Sequence, residues 1–432
     1  MVHLLLDGNG IDKGIIRKKS KSLYMYDLIV VGAGGAGMIS AITAARDNKK
    51  VLLLEKLSQL GLKLKATGGG KCNLTNTLSS EEFMESFGRN GRFMITALNA
   101  FDNTKVIEFF TSLGVKTASK DGFRIFPDTH DSTSVLDGFK NELQRLNIDV
   151  KTDTKVEDLI IEDDQIKGVK TSLADYLAPK VILSTGGLGY PTLGANGDGH
   201  KISENFGHKI TPLYPAMMPL FTKETWVASC TADTIAKVTM RVDMKKHKKL
   251  NAFGDLIFTK KGIRGPVVLD FARELTPLIE KYGEVSLLVN MTKGKNEEQI
   301  RSHLKNENTK DGDKTILDLI SSLLPLSVSK ELLKIVQINE DEKYNKIDGI
   351  KRDQLIKILV WTPLTINGHD GFKNAMITRG GVSLKQIDPN TMQSKLISGL
   401  YFCGEIVDLD GPCGGYNLQW SFSSGYLAGK LL

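Results

Sequence analysis

Three groups of residues in this chain join glycine to a nearby acid or base, in spacings that suit a ligand carrying phosphate. The first is Gly32-Ala33-Gly34-Gly35-Ala36-Gly37, a GxGxxG with its glycines at 32, 34 and 37, followed by Glu55-Lys56. The second is Lys63 and then Thr67-Gly68-Gly69-Gly70-Lys71-Cys72-Asn73. The third is Gly404-Glu405, Asp408 and Gly414-Gly415-Tyr416-Asn417-Leu418. Backbone N–H groups at the positive end of a helix hold a diphosphate. In a GxGxxG the first glycine permits a tight turn, the second lets a pyrophosphate approach the main chain, and the third lets helix and strand pack closely. Glu55 stands 18 residues after Gly37, near the ~20-residue offset of an acid that holds an adenosine ribose. An acid there repels a 2′-phosphate, so the expected nucleotide is FAD or NAD rather than NADP. By itself the motif could be a glycine-rich helix start that simply packs tightly; the strand and acid around it favour the nucleotide.

The surrounding pattern supplies the elements these residues need. Leu28 to Val31 is a short apolar run, an amphipathic stretch follows from Ala36 to about Asn48, and Val51 to Leu54 is a second apolar run ending in Glu55. That order is strand, glycine turn, helix, strand, acid. The three glycines at 68 to 70, flanked by Thr67 and Lys71, suit a loop pressed against a ligand; a mobile surface turn is the plainer alternative. Val181 to Leu183 runs into Ser184-Thr185-Gly186-Gly187, a further bare backbone at a strand's carboxyl end, where α/β sheets bind ligands. Helical periodicity is expected from 81 to 114 and 132 to 147, a short strand at 122–127, and a β-meander from Asp149 to Thr171. Near the end, Gly399 to Gly404 reads as a strand, and a helix is expected to open near Tyr416. Two distant ends of the sequence thus furnish complementary pieces of one long site. FAD is long enough to need both; a single NAD half-site is not.

The expected class is α/β, a dinucleotide-binding domain interrupted by an insert. Its parts are a leader over 1–24, read as disordered or loosely attached, a first nucleotide-binding segment over 25–193, a β-rich insert over 194–291, a helical subdomain over 292–357, and a second nucleotide-binding segment over 358–432. The 41% hydrophobic and 25% charged content is that of a soluble globular chain. No apolar run approaches the ~18 residues of a membrane span, so no membrane partner is expected. Cys72, Cys230, Cys403 and Cys413 form no CxxC pair, which argues against a disulfide framework or a zinc site and for a reducing, cytoplasmic setting. A net charge of +7 permits an anionic partner without requiring one. The run Lys245-Lys246-His247-Lys248-Lys249 reads first as a solvated hairpin tip and second as a nucleic-acid contact. No metal site is expected.

These residues together resemble a known family, the FAD-binding flavoproteins called aminoacetone oxidase-like or bile-acid-inducible flavoprotein N-like NAD(P)/FAD-dependent oxidoreductases. The resemblance rests on GAGGAG at 32–37, TGGGKCNLTN at 67–76, TGGLGYPTLGANGDGH at 185–200, LIFTKKGIRGP at 256–266, ITRGGVSLKQIDPNTMQSK at 377–395 and GLYFCGEIVDLDGPCGGYNLQWSFSSG at 399–425. It covers the chain from Tyr26 to Leu432. Thr67 and Lys71 stand where the family more often has Ser and Arg, changes that keep the polar or positive character. The resemblance implies a glutathione-reductase-type FAD-binding Rossmann-like domain with a β-barrel insert and a small helical subdomain. It places FAD against Gly32–Gly37, Glu55, the Lys63–Asn76 loop, the main chain of an Asp149–Val156 strand, and Asp408 to Leu418; Lys56, Thr185–Gly187, Gly404 and Glu405 are further expected contacts with the cofactor. Family members are variously described as enone reductases, amine oxidases or proteins without a settled role.

The chemistry expected is hydride transfer between flavin and a small organic substrate. No second GxGxxG occurs, so there is no dedicated nicotinamide domain. Either NAD(P)H visits the flavin transiently, or the substrate is the electron donor and dioxygen the acceptor; an RNA-associated flavoprotein and a non-enzymatic flavin sensor remain as alternatives. Substrate is expected near Tyr190, Arg264, Pro266, Arg379 and Tyr416. Tyr190 and Tyr416 are candidate proton donors, with buried structural tyrosines the alternative. Cys72 and Cys413 are a conceivable redox pair, though small apolar filler is the simpler reading. Oligomeric state is open.

Overall fold

The computed structural model describes residues 25–431; the leader expected at 1–24 lies outside the described residues. Five parallel strands make the first sheet, in the order Leu400–Phe402, Val181–Leu183, Leu28–Val31, Val51–Leu54, Asp149–Lys151. Every residue of the first four strands in this order is buried, and only the Asp149–Lys151 edge is half-buried. Unbroken apolar runs, rather than alternation, follow from a sheet covered on both faces.

The glycine helix, Gly35–Arg46, crosses the last helix, Tyr416–Gly429, at close range. A methyl group on Gly425 would lie 2.4 Å from Ala36 O, and one on Gly429 2.6 Å from Ser40 O. The Ser40 hydroxyl donates across this crossing to Gly425 O at 2.9 Å. The C-terminal part of the sequence is thereby locked onto the first βα unit.

The expected meander divides. Asp149–Lys151 joins the parallel sheet, while Val156–Glu162, Gln165–Thr171 and Asp175–Leu177 form a separate antiparallel sheet. An Asp149–Val156 strand therefore does not exist as one element. Asp153 takes a left-handed turn at φ +51°, and the bonds Asp153 N–H to Leu57 O and Thr154 N–H to Glu55 O hold that turn against the end of Val51–Leu54.

The insert is a closed six-stranded barrel, ordered Leu220–Thr222, Gly262–Arg264, Asn251–Thr259, Thr234–Val242, Val285–Asn290, Thr362–His369. The helix Pro266–Tyr282 packs on it, and helices at Glu297–Lys310, Ile316–Ser321, Leu326–Ile335 and Gly349–Val360 share its apolar core. The sixth barrel strand, Thr362–His369, falls inside the stretch assigned by sequence to the second nucleotide-binding segment. Conversely the helix Asp198–Asn205 packs on the first domain, with His200 Nε2 3.1 Å from Ile406 O, although it lies in the stretch read as insert. Tyr214–Ala216 and Ile377–Arg379, paired antiparallel, are the two chain crossings between the bodies. The Lys245–Lys249 run sits at the largely exposed tip between Thr234–Val242 and Asn251–Thr259. Among the described residues, no helix is long and apolar enough to cross a membrane.

Candidate functional site

Gly32 turns at φ +96°, and a methyl group there would lie 2.8 Å from Ser184 O. On Gly37 it would lie 1.9 Å from Gly32 O, so helix and turn touch through bare backbone. Gly34 has nothing within 4 Å of the same added atom. The helix opens on Gly34 with no side-chain cap and no acid in its first turn, which leaves its first N–H groups for an anion. Glu55 braces this cradle: its carboxylate accepts from Ala33 N–H at 2.9 Å and from Leu57 N–H at 3.0 Å. A carboxylate has about four acceptor sites, so two remain.

One long cleft contains this cradle. It runs past Glu55, Lys56, Thr154, Lys155 and Val156 at one end, and past Gly32–Ala36 and Ser184–Gly186 in the middle. Lys63, Thr67, Thr378, Gly404, Glu405, Asp410, Asn417, Leu418 and Ser421 line its other end. Lys63 Nζ pairs with Glu405 Oε2 at 2.6 Å, and Glu405 Oε1 accepts from Thr378 N–H at 2.8 Å. Lys56 reaches Asp198 at 2.9 Å and Asn196 at 2.5 Å, and Lys155 stands 3.7 Å from Asp198. Burial pushes the Asp198 carboxyl up, but Lys56 and Lys155 outweigh it and hold the group below its ordinary value. The last helix also begins without a side-chain cap, on Gly415 at φ +87°. Two uncapped helix starts, an acid at the end of the second strand and glycine at each close approach make a cradle that fits a long diphosphate-bearing dinucleotide such as FAD.

Of the site residues expected from sequence, Gly32, Ala33, Gly34, Gly35, Ala36, Glu55, Lys56, Lys63, Thr67, Val156, Thr185, Gly186, Gly404, Glu405, Asn417 and Leu418 line the cleft. Gly37, Gly68, Gly69, Gly70, Lys71, Cys72, Asn73, Gly187, Asp408, Gly414, Gly415 and Tyr416 do not line it. The reason is specific for the TGGGKCNLTN block. Asn76 Nδ2 donates to Gly414 O at 3.0 Å. With its amide nitrogen towards Ile125 O and Thr75 O, Asn73 accepts from Gly415 N–H at 2.9 Å. A methyl group on Gly415 would lie 2.5 Å from Thr75 O. These two glycine blocks hold each other, and through that contact they place the start of the last helix.

Cys72 is fully buried, and burial pushes its thiol up to about 12. Cys413 is exposed, and all four cysteines are free. Tyr416 packs against Phe83 at 5.0 Å and Phe87 at 6.1 Å, behind the cleft wall. Tyr190, at φ +56°, donates its N–H to Phe372 O. Neither tyrosine lines the cleft, so the structure gives neither a position for proton transfer. Arg379 donates to Glu274 at 2.8 Å, Pro266 opens the barrel helix, and Arg264 is exposed just before it. Lys155 and Asp410 also line the cleft and lie within the stretches Asp149–Val156 and Asp408 to Leu418 that the resemblance gave to FAD. Sequence reasoning missed Asp198, Thr378 and Ser421, which stand inside the quoted blocks, but nothing local marks which residues of a block face the cleft.

Residues 26–431 match the family described as HI0933-like protein Rossmann domain. The chain is 30% identical over 406 residues to 3-dehydro-bile acid delta(4,6)-reductase of Clostridium scindens, covering 93% of this chain and 97% of that protein. It is 30% identical over 401 residues to a ribosomal RNA dihydrouridine synthase of Haemophilus influenzae, covering 92% and 96%. Among solved structures it is similar in fold to 3-ketosteroid delta1-dehydrogenase of Sterolibacterium denitrificans, with a TM-score of 0.53 at 12% identity, over 94% of this chain and 99% of that one. The chain therefore belongs to the HI0933-like Rossmann-domain family and is a FAD-dependent oxidoreductase.

Proposed function

We propose that the protein reduces a C=C bond conjugated to a carbonyl group, with a reduced nicotinamide, NADH or NADPH, as transient electron donor. The observation that carries the reading is the single cleft onto which both uncapped helix starts open. The relatives supply the substrate chemistry. A 3-dehydro bile acid unsaturated at positions 4 and 6, and a uridine converted to dihydrouridine, share one reactive feature, an alkene conjugated with a carbonyl. FAD supplies the two-electron chemistry when bound. Glu55, Lys56 and Val156 would hold the adenosine end, with Asp198 fixing Lys56. The free N–H groups of Gly34, Gly35 and Ala36 would take the pyrophosphate. Glu405 would take a ribityl hydroxyl, with Lys63 and Thr378 fixing its carboxylate. The N–H groups of Asn417 and Leu418 would stabilise negative charge at the flavin end.

A base in RNA is the second reading, favoured by the equal 30% identity to the dihydrouridine synthase. It predicts binding that weakens steeply with salt. The test is anaerobic stopped-flow. FAD-loaded protein reduced by NADPH or NADH is mixed with a delta4-3-oxosteroid, with a uridine-containing RNA fragment, or with dioxygen. The reading expects fast reoxidation by a conjugated carbonyl compound, and a product that has gained two hydrogens. Flavin reduced only by an amine, and reoxidised only by dioxygen, would contradict it and make the protein an amine oxidase.

A further inference from the structure

The barrel helix Pro266–Tyr282 carries Asp270, Arg273 and Glu274 on one face, a turn apart. That face meets the loop leading into the last helix. Arg273 Nη2 donates to Asp410 O at 2.8 Å, and its Nε stands 3.0 Å from Asp410 Oδ2. That second approach is out of line, since neither Nε nor Oδ2 has a hydrogen-bond partner there. Cys413 N–H donates to Asp270 Oδ1 at 2.6 Å. From the strand crossing between the bodies, Arg379 donates to Glu274 Oε1 at 2.8 Å and to Arg273 O at 3.1 Å. Asp408 completes the group, close enough to repel Asp410. On the Cys413 side Arg124 is already paired with Asp121 at 2.6 Å.

The charges do not balance. The carboxyls of Asp270, Glu274, Asp408 and Asp410 face two guanidiniums, Arg273 and Arg379, and the side chains of Arg273 and Asp410 are only 14% and 11% exposed. Confining excess negative charge away from water favours retention of a proton by one carboxyl of the set. Burial, the largest influence in each case, pushes Asp270, Asp408 and Asp410 above their ordinary values. Asp410 alone of the four carboxyls lines the cleft, beside Asn417 and Leu418.

We propose that Asp410 is the acid of the reaction and gives its proton to the carbon next to the substrate carbonyl. The inference rests on the reading of the protein as a reductase of conjugated carbonyl compounds. The far carbon of the C=C bond takes hydride from reduced FAD, and the substrate's π electrons form the new C–H bond with the proton. The substrate is reduced by two electrons and FAD is oxidised by two. The O–H bond of Asp410 breaks, and its electron pair stays on a carboxylate that Arg273 and Arg379 stabilise. The reduced nicotinamide then resets FAD, and solvent resets Asp410.

The test uses holoenzyme, in wild type and in Asp410→Asn. Infrared difference spectra should show a protonated carboxyl band at neutral pH that Asp410→Asn removes. The variant should bind FAD and accept electrons from NADPH or NADH as wild type does, yet be reoxidised by a delta4-3-oxosteroid about 100-fold more slowly. In wild type that reoxidation should fall at alkaline pH, and Arg273→Gln should move the fall to higher pH, because a cation favouring the carboxylate is gone. If Asp410→Asn fails to hold FAD, this shift in Arg273→Gln decides. Absence of the carboxyl band, wild-type reoxidation in Asp410→Asn, or an unmoved pH profile in Arg273→Gln overturns the proposal. A wild type that no conjugated carbonyl compound reoxidises sinks the reading of the reaction, and with it the role of Asp410, even with the band present.

Discussion

A methyl group on Gly37 would be driven to 1.9 Å from Gly32 O, whereas one on Gly34 would point into open space. The two alanine variants should therefore fail differently. Gly37→Ala should cost at least about 1–3 kcal/mol through overpacking against backbone and lose FAD along with thermal stability. Gly34→Ala should leave the melting temperature of the FAD-free protein nearly unchanged but weaken FAD at least ~10-fold, about 1.4 kcal/mol, because it fills the space before the helix start. Flavin fluorescence titration and thermal melts read the two effects separately. The thiols divide in a similar way. Burial pushes Cys72 and Cys403 up to about 12 and Cys230 up to about 11; burial and the nearby Asp270 raise Cys413 as well, but its side chain alone among the four is exposed. Ellman's reagent should titrate Cys413 in the native protein and the other three only after unfolding. Fast modification of Cys72 would show that its loop opens to solvent.

Among the elements, the glycine blocks at 67–76 and 411–418 were legible in sequence as special backbone, but their relation was not. Both were expected to face the ligand directly. In the fold much of the first block instead ties down the second, through Asn73 and Asn76. Asn73→Ala or Asn76→Ala should leave a buried backbone group at Gly415 or Gly414 unpaired, at about 1–3 kcal/mol, and should weaken FAD although neither residue lines the cleft. FAD affinity equal to wild type in both variants would contradict that role. Local patterning predicted several strands where they occur, Leu28–Val31, Val51–Leu54 and Val181–Leu183 among them. It marked no strand at Thr362–His369, which closes the barrel, and could not show that Asp149–Lys151 pairs with Val51–Leu54 rather than with the meander. Pairing partners are set by register and turns far apart in the chain, which short-range alternation does not carry.

At the scale of the whole molecule, the interrupted domain was legible because glycine clusters and apolar runs recur at both ends of the sequence. The charged contacts that tune the cleft were not. Lys56 meets Asp198 across 142 residues and Lys63 meets Glu405 across 342, separations at which residue type alone says nothing. The buried histidines add a dependence on pH. Burial holds His200 and His208 below the ordinary value of 6.5. Their folded states bind fewer protons than the unfolded chain, so stability is whole above about pH 6.5 and falls as the pH drops below it towards the folded values. Thermal melts between about pH 7.5 and about pH 5 should show this decline, flattened in part by His208→Gln; a slope unchanged in that variant would place the acid sensitivity elsewhere. The central claim is that the cleft holds FAD and passes its electrons to a conjugated carbonyl compound. The most direct measurement is the anaerobic visible spectrum of the FAD-loaded protein, first with NADPH or NADH and then with a delta4-3-oxosteroid or uridine-containing RNA. The account predicts a yellow protein that bleaches with the nicotinamide and regains its colour with the conjugated carbonyl compound. A protein that takes up no FAD, or one whose bleached flavin regains colour only with dioxygen, would contradict it.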